Sequence, residues 1–162
     1  MSPLEGPSVR RVQAALEAAG SPARVVALDA SARTAAEAAL ACGVEPGAIV
    51  KSLVFQVGGQ PVLALVAGDR RCETTALPAA LGLAGQAGRA DAALVREATG
   101  FAIGGVAPLG HPLPLPTAID ASLGRFPRLY AAAGHPHCVF PTTLEELTLL
   151  TGGTLSTAIA CP

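Results

Sequence analysis

The chain is poor in charged and aromatic side chains, and this narrows what it can bind. Charged residues make up 14% of its 162 residues and aromatic residues 3%, tryptophan is absent, and the formal net charge is −1. Proteins hold single-stranded nucleic acid on stacked aromatic rings and hold its backbone with clustered Lys and Arg. The composition therefore argues against a broad nucleic-acid surface and against DNA as a partner. It leaves open the recognition of a small part of an RNA, such as its end.

Metal-binding cysteine patterns and long apolar runs are also missing. The four cysteines, at positions 42, 72, 138 and 161, form no CxxC pair and no zinc-ligand spacing. No apolar run reaches the roughly 18 residues of a membrane span, and the first residues lack a basic and apolar signal region. Free cysteines fit a reducing compartment. We therefore expect a cytoplasmic protein without a membrane partner.

Apolar residues account for 51% of the chain, enough to build a core, and we expect one domain over residues 1–162. Local signals predict a helix from Ser8 to Gly20, a short strand over 24–29 and a second helix from the capping box at Thr34 to Gly43. The Gly58-Gly59 pair predicts a hairpin over 49–67, central in the sheet.

The second half mixes helices with short strands. We predict a helix within 72–81, a helix capped by Asp91 and stopped near Gly100, and a helix from the capping box at Thr143 to Leu150. The stretch 101–116 begins like a strand and becomes a Gly/Pro loop, and the last residues look frayed. Short strands are expected over 118–120, 129–132 and 137–140. Without regular βαβ alternation, the pattern predicts an α+β fold.

Lys51 is the only lysine in the chain, and it lies inside the apolar run of the predicted hairpin. The other ten basic residues are arginine, which serves wherever a surface charge suffices. An ammonium is a compact charge that can be desolvated and aimed, which a planar guanidinium cannot copy. A catalytic or binding role is one interpretation. The other is an edge-strand lysine that faces water and prevents aggregation.

A second candidate feature is the loop Gly104-Gly105-Val106-Ala107-Pro108. Two adjacent glycines allow close approach to a ligand and turn backbone N–H groups outward, where they could hold a carbonyl oxygen or a carboxylate. An ordinary tight turn is the alternative. The spacing fits neither a phosphate-binding P-loop nor a dinucleotide fingerprint.

Other reactive residues form no complete site. His135 and His137 could supply two metal ligands, as in a metal hydrolase, but a third ligand is missing, and His111 is expected at the surface. Cys72 has no identifiable base beside it. Asp120 could face a pocket or cap the residues that follow it. We therefore predict neither a metal nor a cofactor.

Taken together, these segments resemble the YbaK family, the domain associated with prolyl-tRNA synthetase. The resemblance rests on the segment from Thr34 to Ala39, on Gly43-Val44 with the lysine strand Ile49–Phe55, and on Thr99–Gly110, which contains a G-x-x-x-P loop. The stretch from Ile119 to Phe140 fits the C-terminal part of the family, so the resemblance covers roughly residues 8 to 152.

The resemblance implies an α+β fold around a mixed, partly barrel-like sheet flanked by helices. It implies hydrolysis in trans of mischarged aminoacyl-tRNA, typically Cys-tRNA(Pro) or Ala-tRNA(Pro), with the acceptor end of the tRNA as ligand and prolyl-tRNA synthetase as a partner. Lys51 matches the catalytic lysine. The expected substrate-binding residues are Ser52, Gly104, Gly105, Val106, Ala107, Pro108, Asp120, Gly134 and His137.

Two points stay open. Some family members carry a serine where this chain has Ala132, so the amino-acid specificity does not carry over. The missing protein base also fits a second hypothesis, a module that binds an aminoacyl-adenylate-like ligand or a synthetase surface and does no chemistry.

Overall fold

The computed structural model describes residues 2–162, which form helices packed on a mixed sheet. The helices are α1 (Pro7–Ala18), α2 (Ala35–Cys42), α3 (Leu77–Leu81), α4 (Ala92–Thr99) and α5 (Leu144–Thr151). The strands are β1 (Val26–Ala27), β2 (Ile49–Val57), β3 (Gln60–Ala67), β4 (Arg71–Cys72), β5 (Ala87–Arg89), β6 (Thr117–Asp120), β7 (Leu129–Ala132), β8 (Cys138–Thr142), β9 (Thr154–Ser156) and β10 (Ala160–Cys161). Short 3₁₀ turns cover Pro3–Glu5, Pro46–Ala48, Thr74–Ala76 and Ala121–Arg125.

The hairpin of β2 and β3 forms the centre of the main sheet, as predicted. The strand order is β1-β8-β7-β2-β3-β6-β9, with β5 joined to β2 off this path. β2 pairs with β3 antiparallel along its whole length, whereas β2 with β7, β3 with β6 and β6 with β9 are parallel pairs. This mixture of parallel and antiparallel pairs, flanked by helices, confirms the predicted α+β fold class.

The two faces of the hairpin pack into different apolar clusters. Alternation of side chains places Val50, Leu63 and Leu65 in the large cluster that includes α1, while Val57, Val62 and Ala64 lie in a smaller cluster with α3. Because both faces are covered, β3 is an almost unbroken apolar run.

One edge of β2 is interrupted, and this interruption shapes the site. β7 pairs only with Ile49 and Val50, and β5 pairs only with Phe55 to Val57. Residues 51–54 therefore have no strand partner on this side in the part of the chain that the structure describes. We call this segment the free edge of β2.

Local capping signals predicted three helices well. The hydroxyls of Thr34 and Thr143 and the carboxylate of Asp91 each accept a hydrogen bond from a first-turn N–H, and these helices end at glycines with left-handed backbone. The first helix differs from the prediction, because Gly6 is its N-cap and Pro7 its first residue, where a missing N–H costs nothing.

Three further expectations were wrong. Phe101 does not start a strand: it is a fully buried residue in a loop. Within 72–81, a strand and a 3₁₀ turn precede a helix of five residues, with Pro78 in its first turn. The C-terminal residues are not frayed, because β9 and β10 join other strands and Ile159 is fully buried.

None of the helices in the described part of the chain, residues 2–162, combines the length and the apolar character that a membrane-spanning helix needs.

Candidate active site

A cavity of about 850 Å³ lies along the free edge of β2. Its walls come from β2, from the start of α2, from the loop after α4 and from the end of β7. The lining residues are Ala32, Arg33, Thr34, Ala35, Ala38, Ile49, Val50, Lys51, Ser52, Leu53, Val54, Gly68, Ala90, Val95, Ile103, Gly104, Val106, Tyr130, Ala131, Ala132 and Val139. The lining is mostly apolar and contains two cationic side chains, those of Arg33 and Lys51, and no Asp, Glu, His or Cys.

Lys51 is partly buried in this wall and lies on a central strand, which does not fit the interpretation as an edge-strand lysine facing water. Its Nζ donates a hydrogen bond to the main-chain carbonyl of Arg70. An ammonium has three N–H donors. One of them fixes the position of the amine, which leaves two for a ligand.

The glycine loop also contributes to the cavity wall, but only Gly104 and Val106 of its five residues line the cavity. Gly104 has a φ of +96°, a conformation that other residues rarely adopt, and it faces the stem of Arg33. Gly105, Ala107 and Pro108 are buried behind it. These three residues therefore contribute to the packing of the loop and not to the surface of the cavity.

The β7–β8 turn supports the loop from behind. The N–H of Gly134 donates to the carbonyl of Gly105 at 2.9 Å. A Cβ on Gly105 would lie 3.0 Å from the main chain of Gly134 and of His135, so a side chain there would force the loop or the turn to shift by a few tenths of an ångström. Gly134 itself has a φ of +89° and packs against the main chain of Ser8, where a Cβ would come within 2.9 Å.

A second support comes from His111, which is partly buried and not the surface residue expected from the sequence. Its Nε2 is 2.8 Å from the carbonyl of Ala107, and its ring meets the edge of Phe101 at 6.0 Å between centroids. Burial is the main cause that lowers the pKa of His111. The hydrogen bond to Ala107 opposes this shift, and the charge of Arg11 adds to it.

Arg11, on α1, completes this support. Its guanidinium lies 4.5 Å from the centre of the Phe101 ring and donates to the carbonyl of Gly100 at 2.8 Å. Neither Arg11 nor Phe101 was predicted as part of the site, because the contacts that join them to the loop link residues far apart in the chain. The only signal was an isolated Phe at the start of a Gly/Pro stretch.

Besides Gly105, Ala107 and Pro108, three more of the nine predicted substrate-binding residues do not line the cavity. Asp120 is only 2% exposed, and its carboxylate accepts hydrogen bonds from the N–H of Ala67 at 3.0 Å and from the N–H and hydroxyl of Ser122. It therefore caps the following 3₁₀ turn, one of the two roles expected for it. Gly134 and His137 lie in the β7–β8 turn.

Ser52, in contrast, lines the cavity, and its hydroxyl stands out. The oxygen is buried and has no hydrogen-bond partner among the described residues. A buried hydroxyl without a partner typically costs about 1–3 kcal/mol. Because this oxygen is buried, it is closed off from the cavity that other atoms of Ser52 line.

The remaining reactive side chains do not assemble into a second site. Burial raises the pKa of Cys72 to about 11, so its thiol stays protonated near neutral pH. The Nδ1 of His135 accepts a hydrogen bond from the N–H of His137 at 3.0 Å, which occupies one of the nitrogens that a metal would need. Among residues 2–162, no group of three or more His, Cys, Asp or Glu could hold a metal ion.

Comparison with known proteins gives consistent matches over most of the chain. Residues 29–150 match the family described as the aminoacyl-tRNA editing domain. The uncharacterized protein YwhH of Bacillus subtilis (strain 168) is 32% identical over 125 residues, which cover 76% of this chain and 78% of that protein.

Two solved structures share the fold. The crystal structure of a candidate trans-editing enzyme for prolyl tRNA synthetase is 47% identical with a TM-score of 0.87, and the match covers 93% of this chain and 96% of that one. The crystal structure of a hypothetical protein is 26% identical with a TM-score of 0.84, over 93% of this chain and 99% of the other.

Proposed function

Because the chain belongs to the aminoacyl-tRNA editing domain family, we propose that it is a freestanding deacylase for mischarged aminoacyl-tRNA. The resemblance to the YbaK family found in the sequence is confirmed. The proposed substrates are tRNA(Pro) molecules that carry Ala, Cys or a similar small amino acid. The reaction would take place in the cytoplasm, with the acceptor end of the tRNA as ligand and prolyl-tRNA synthetase as a partner.

One observation carries this proposal: Lys51 and Gly104 line the same apolar cavity. In the proposed reaction, the ammonium of Lys51 binds the phosphate of the terminal nucleotide or polarises the ester. The main-chain N–H groups of Gly104 and Val106, the two loop residues that line the cavity, hold the ester carbonyl oxygen, where negative charge develops as water attacks. An ammonium in an apolar wall acts more strongly on that charge than it would in water.

The lining contains no Asp, Glu, His or Cys that could act as a general base. We therefore propose that the 2′-hydroxyl of the substrate, or the thiol of a cysteinyl group, activates the attack. Such assistance requires the enzyme to position the ester and exclude competing geometries, which a rigid strand and a fixed loop can do.

The size of the cavity limits how it selects substrates. At about 850 Å³ it falls in the range of ligand pockets that hold drug-sized molecules, so it has room for more than a small amino acid. We propose that part of the terminal nucleoside also enters. Discrimination by size alone gives about 1–3 kcal/mol per methylene, so rejection of prolyl by apolar contacts is incomplete. A synthetase partner that delivers tRNA(Pro) would add selectivity.

The test is deacylation of Ala-, Cys-, Ser- and Pro-tRNA(Pro) by wild type, Lys51→Met and Lys51→Arg. Both variants should lose at least about 100-fold in kcat/KM on the best substrate, because an arginine cannot reproduce a compact ammonium in this wall. Arg128→Met, which removes an exposed cation that does not line the cavity, is the matched control and should stay near wild type. Wild-type rates in Lys51→Met would refute the mechanism.

A binding module without catalysis is the second candidate, and the lack of a general base in the lining favours it. It predicts tight stoichiometric binding of an aminoacyl-adenylate analogue and no release of free amino acid from any charged tRNA. Rapid release of amino acid would eliminate it.

A further inference from the structure

The amine of Lys51 is held by a single protein group. Its Nζ donates to the main-chain carbonyl of Arg70, and the described part of the chain gives it no other hydrogen-bond partner. Lysine has a flexible four-carbon stem, so an ammonium with one contact takes its direction from that contact. The position of the Arg70 carbonyl therefore decides where the charge of Lys51 lies in the cavity.

Arg70 is the last residue of the turn between β3 and β4. The N–H of Arg70 donates to the carbonyl of Ala67 at 3.0 Å, and the N–H of Gly68 donates to the carbonyl of Ile49 at 2.8 Å. These two bonds fix the start of the turn against the first residue of β2. The tip of the turn, Asp69, lies outside the helices and strands and is held through its side chain.

Arg125 holds this tip through a paired contact. Its Nη1 and Nη2 donate to the two carboxylate oxygens of Asp69 at 2.9 and 2.8 Å. Its Nε donates to the carbonyl of Ser122 at 2.7 Å, so the guanidinium is fixed on both sides. Two parallel hydrogen bonds between planar groups fix direction as well as distance.

Both ends of this contact lead to fixed parts of the fold. The carboxylate of Asp120 is 2% exposed and accepts hydrogen bonds from the N–H and hydroxyl of Ser122 and from the N–H of Ala67. On the other side, Asp69 packs against the 3₁₀ turn before β2, because a Cβ on Gly47 would lie 2.8 Å from its Oδ2. The contact thus joins the turn to the 3₁₀ turn after β6 and to the start of β2.

We propose that the ion pair of Asp69 and Arg125 positions the Lys51 ammonium by fixing the Arg70 carbonyl that holds it. Neither member of the pair lines the cavity, so both are positioning residues that act through Lys51. Their side chains are 39% and 37% exposed, and exposed ion pairs contribute little to stability. Removal of the pair should therefore leave the fold intact and move the amine. This inference rests on the proposed function only for its effect on catalysis.

Lys51 is the only lysine, so its side chain can be observed alone. Protein labelled with ¹³C at the lysine Cε gives one Cε–Hε NMR signal. In Asp69→Asn and in Arg125→Met, this signal should move towards its position in urea-unfolded protein. Arg128→Met and Asp29→Asn are the matched controls, because both side chains are exposed and have no hydrogen-bond partner among the described residues, and they should leave the signal in place. An unmoved signal in Asp69→Asn and Arg125→Met would overturn the inference, whatever the activity.

Deacylation of Ala-tRNA(Pro) measures the consequence for the reaction. Misplacing a catalytic group costs less than removing it, so Asp69→Asn and Arg125→Met should lower kcat/KM by about 3- to 10-fold. Arg125→Lys keeps the charge but not the paired contact, and it should be impaired as much as Arg125→Met. Wild-type activity in Arg125→Lys would mean that charge alone suffices and would contradict a geometric role.

A double-mutant cycle with Lys51 separates positioning from a general loss of structure. If the pair acts through the amine, Asp69→Asn should change kcat/KM by less than about 2-fold in a Lys51→Met background. The same loss in both backgrounds would overturn the inference. A moved Lys51 signal in a protein that hydrolyses no charged tRNA would support the positioning role and refute the proposed function alone.

Discussion

The two walls of the cavity are built in different ways. The strand wall, residues 49–54 of β2, is positioned by regular pairing with β3 along the whole hairpin. The loop wall, residues 103–106, has no regular structure and is positioned by contacts from His111 and Gly134. A strand is held in place by many equivalent main-chain hydrogen bonds, so its position tolerates changes of side chain. A loop depends on a few individual contacts, so substitutions behind the loop wall should have the larger effects.

The largest effect is expected for Gly134→Ala. A φ of +89° costs a residue with a side chain about 1–2 kcal/mol, and overlap with the main chain of Ser8 at 2.9 Å adds a similar amount, about 3 kcal/mol in all. Thermal unfolding should show a lower midpoint. The matched control is Gly152→Ala, where φ is +65° and no atom lies within 4 Å, so it bears the backbone cost alone. Equal losses in the two variants would mean that contact with α1 does not support the turn.

Gly105→Ala should mainly reduce activity. The new Cβ would lie 3.0 Å from the main chain of Gly134 and His135, so the loop or the turn must shift by a few tenths of an ångström. Misplacement on the scale of 1 Å can cost about 100-fold in rate, and we expect a loss of about 10- to 100-fold in kcat/KM on Ala-tRNA(Pro). Gly88→Ala, where the nearest contact is a side-chain carbon at 3.7 Å, is the control. Wild-type turnover in Gly105→Ala would show that the loop wall is more tolerant than its packing indicates.

The strand wall and the loop wall also differ in how far the sequence predicted them. The hairpin was predictable because Gly58-Gly59 and the flanking apolar runs are local signals, as are the caps at Thr34, Asp91 and Thr143. The position of Lys51 on a central strand followed from that hairpin.

The supports of the loop wall were not predictable, because the hydrogen bond from Arg11 to Gly100 joins positions 89 apart in the chain. The free edge of β2 depends on where β7 and β5 stop pairing, which no local pattern encodes. The same holds for β9, whose three residues carry no strong strand signal and are positioned by parallel pairing with β6. Local sequence signals thus predicted the strand wall. The loop wall and the free edge of β2 are determined by tertiary contacts, which such signals do not encode.

A smaller effect is expected for substitutions of His111, which supports the loop wall through one hydrogen bond. His111→Leu removes the hydrogen bond to the carbonyl of Ala107 and should lower kcat by about 10-fold with a smaller change in KM, because the loop loses definition while the cavity stays open. His111→Gln keeps an N–H donor and should recover part of the loss. If His111→Gln and His111→Leu are equally impaired, the ring packs against Phe101 but does not position the loop.

The stability of the protein should also depend on pH through His111. Burial lowers the pKa of its folded-state imidazole below the ordinary 6.5, so the unfolded chain binds the proton first. The free energy of unfolding should therefore be unaffected by this group well above pH 6.5 and fall as the pH drops below it. Denaturant unfolding of wild type and His111→Gln between pH 7.5 and pH 5 measures the difference. A wild type whose stability falls no faster than that of His111→Gln would contradict the lowered pKa.

The smallest effect, and the one of opposite sign, is expected in the strand wall at Ser52. Its buried hydroxyl has no partner among the described residues, so Ser52→Ala removes an unpaired polar group and should raise the free energy of unfolding by up to about 1 kcal/mol. Ser156→Ala is the contrast, because that hydroxyl accepts a hydrogen bond from the N–H of Ala158 at 3.0 Å and its loss should destabilise. A higher free energy of unfolding in Ser52→Ala would mean that this hydroxyl is an unsatisfied polar group inside the strand wall. Destabilisation by Ser52→Ala would instead show that the hydroxyl is already satisfied in the free protein, and the strand wall would then be as dependent on individual side chains as the loop wall.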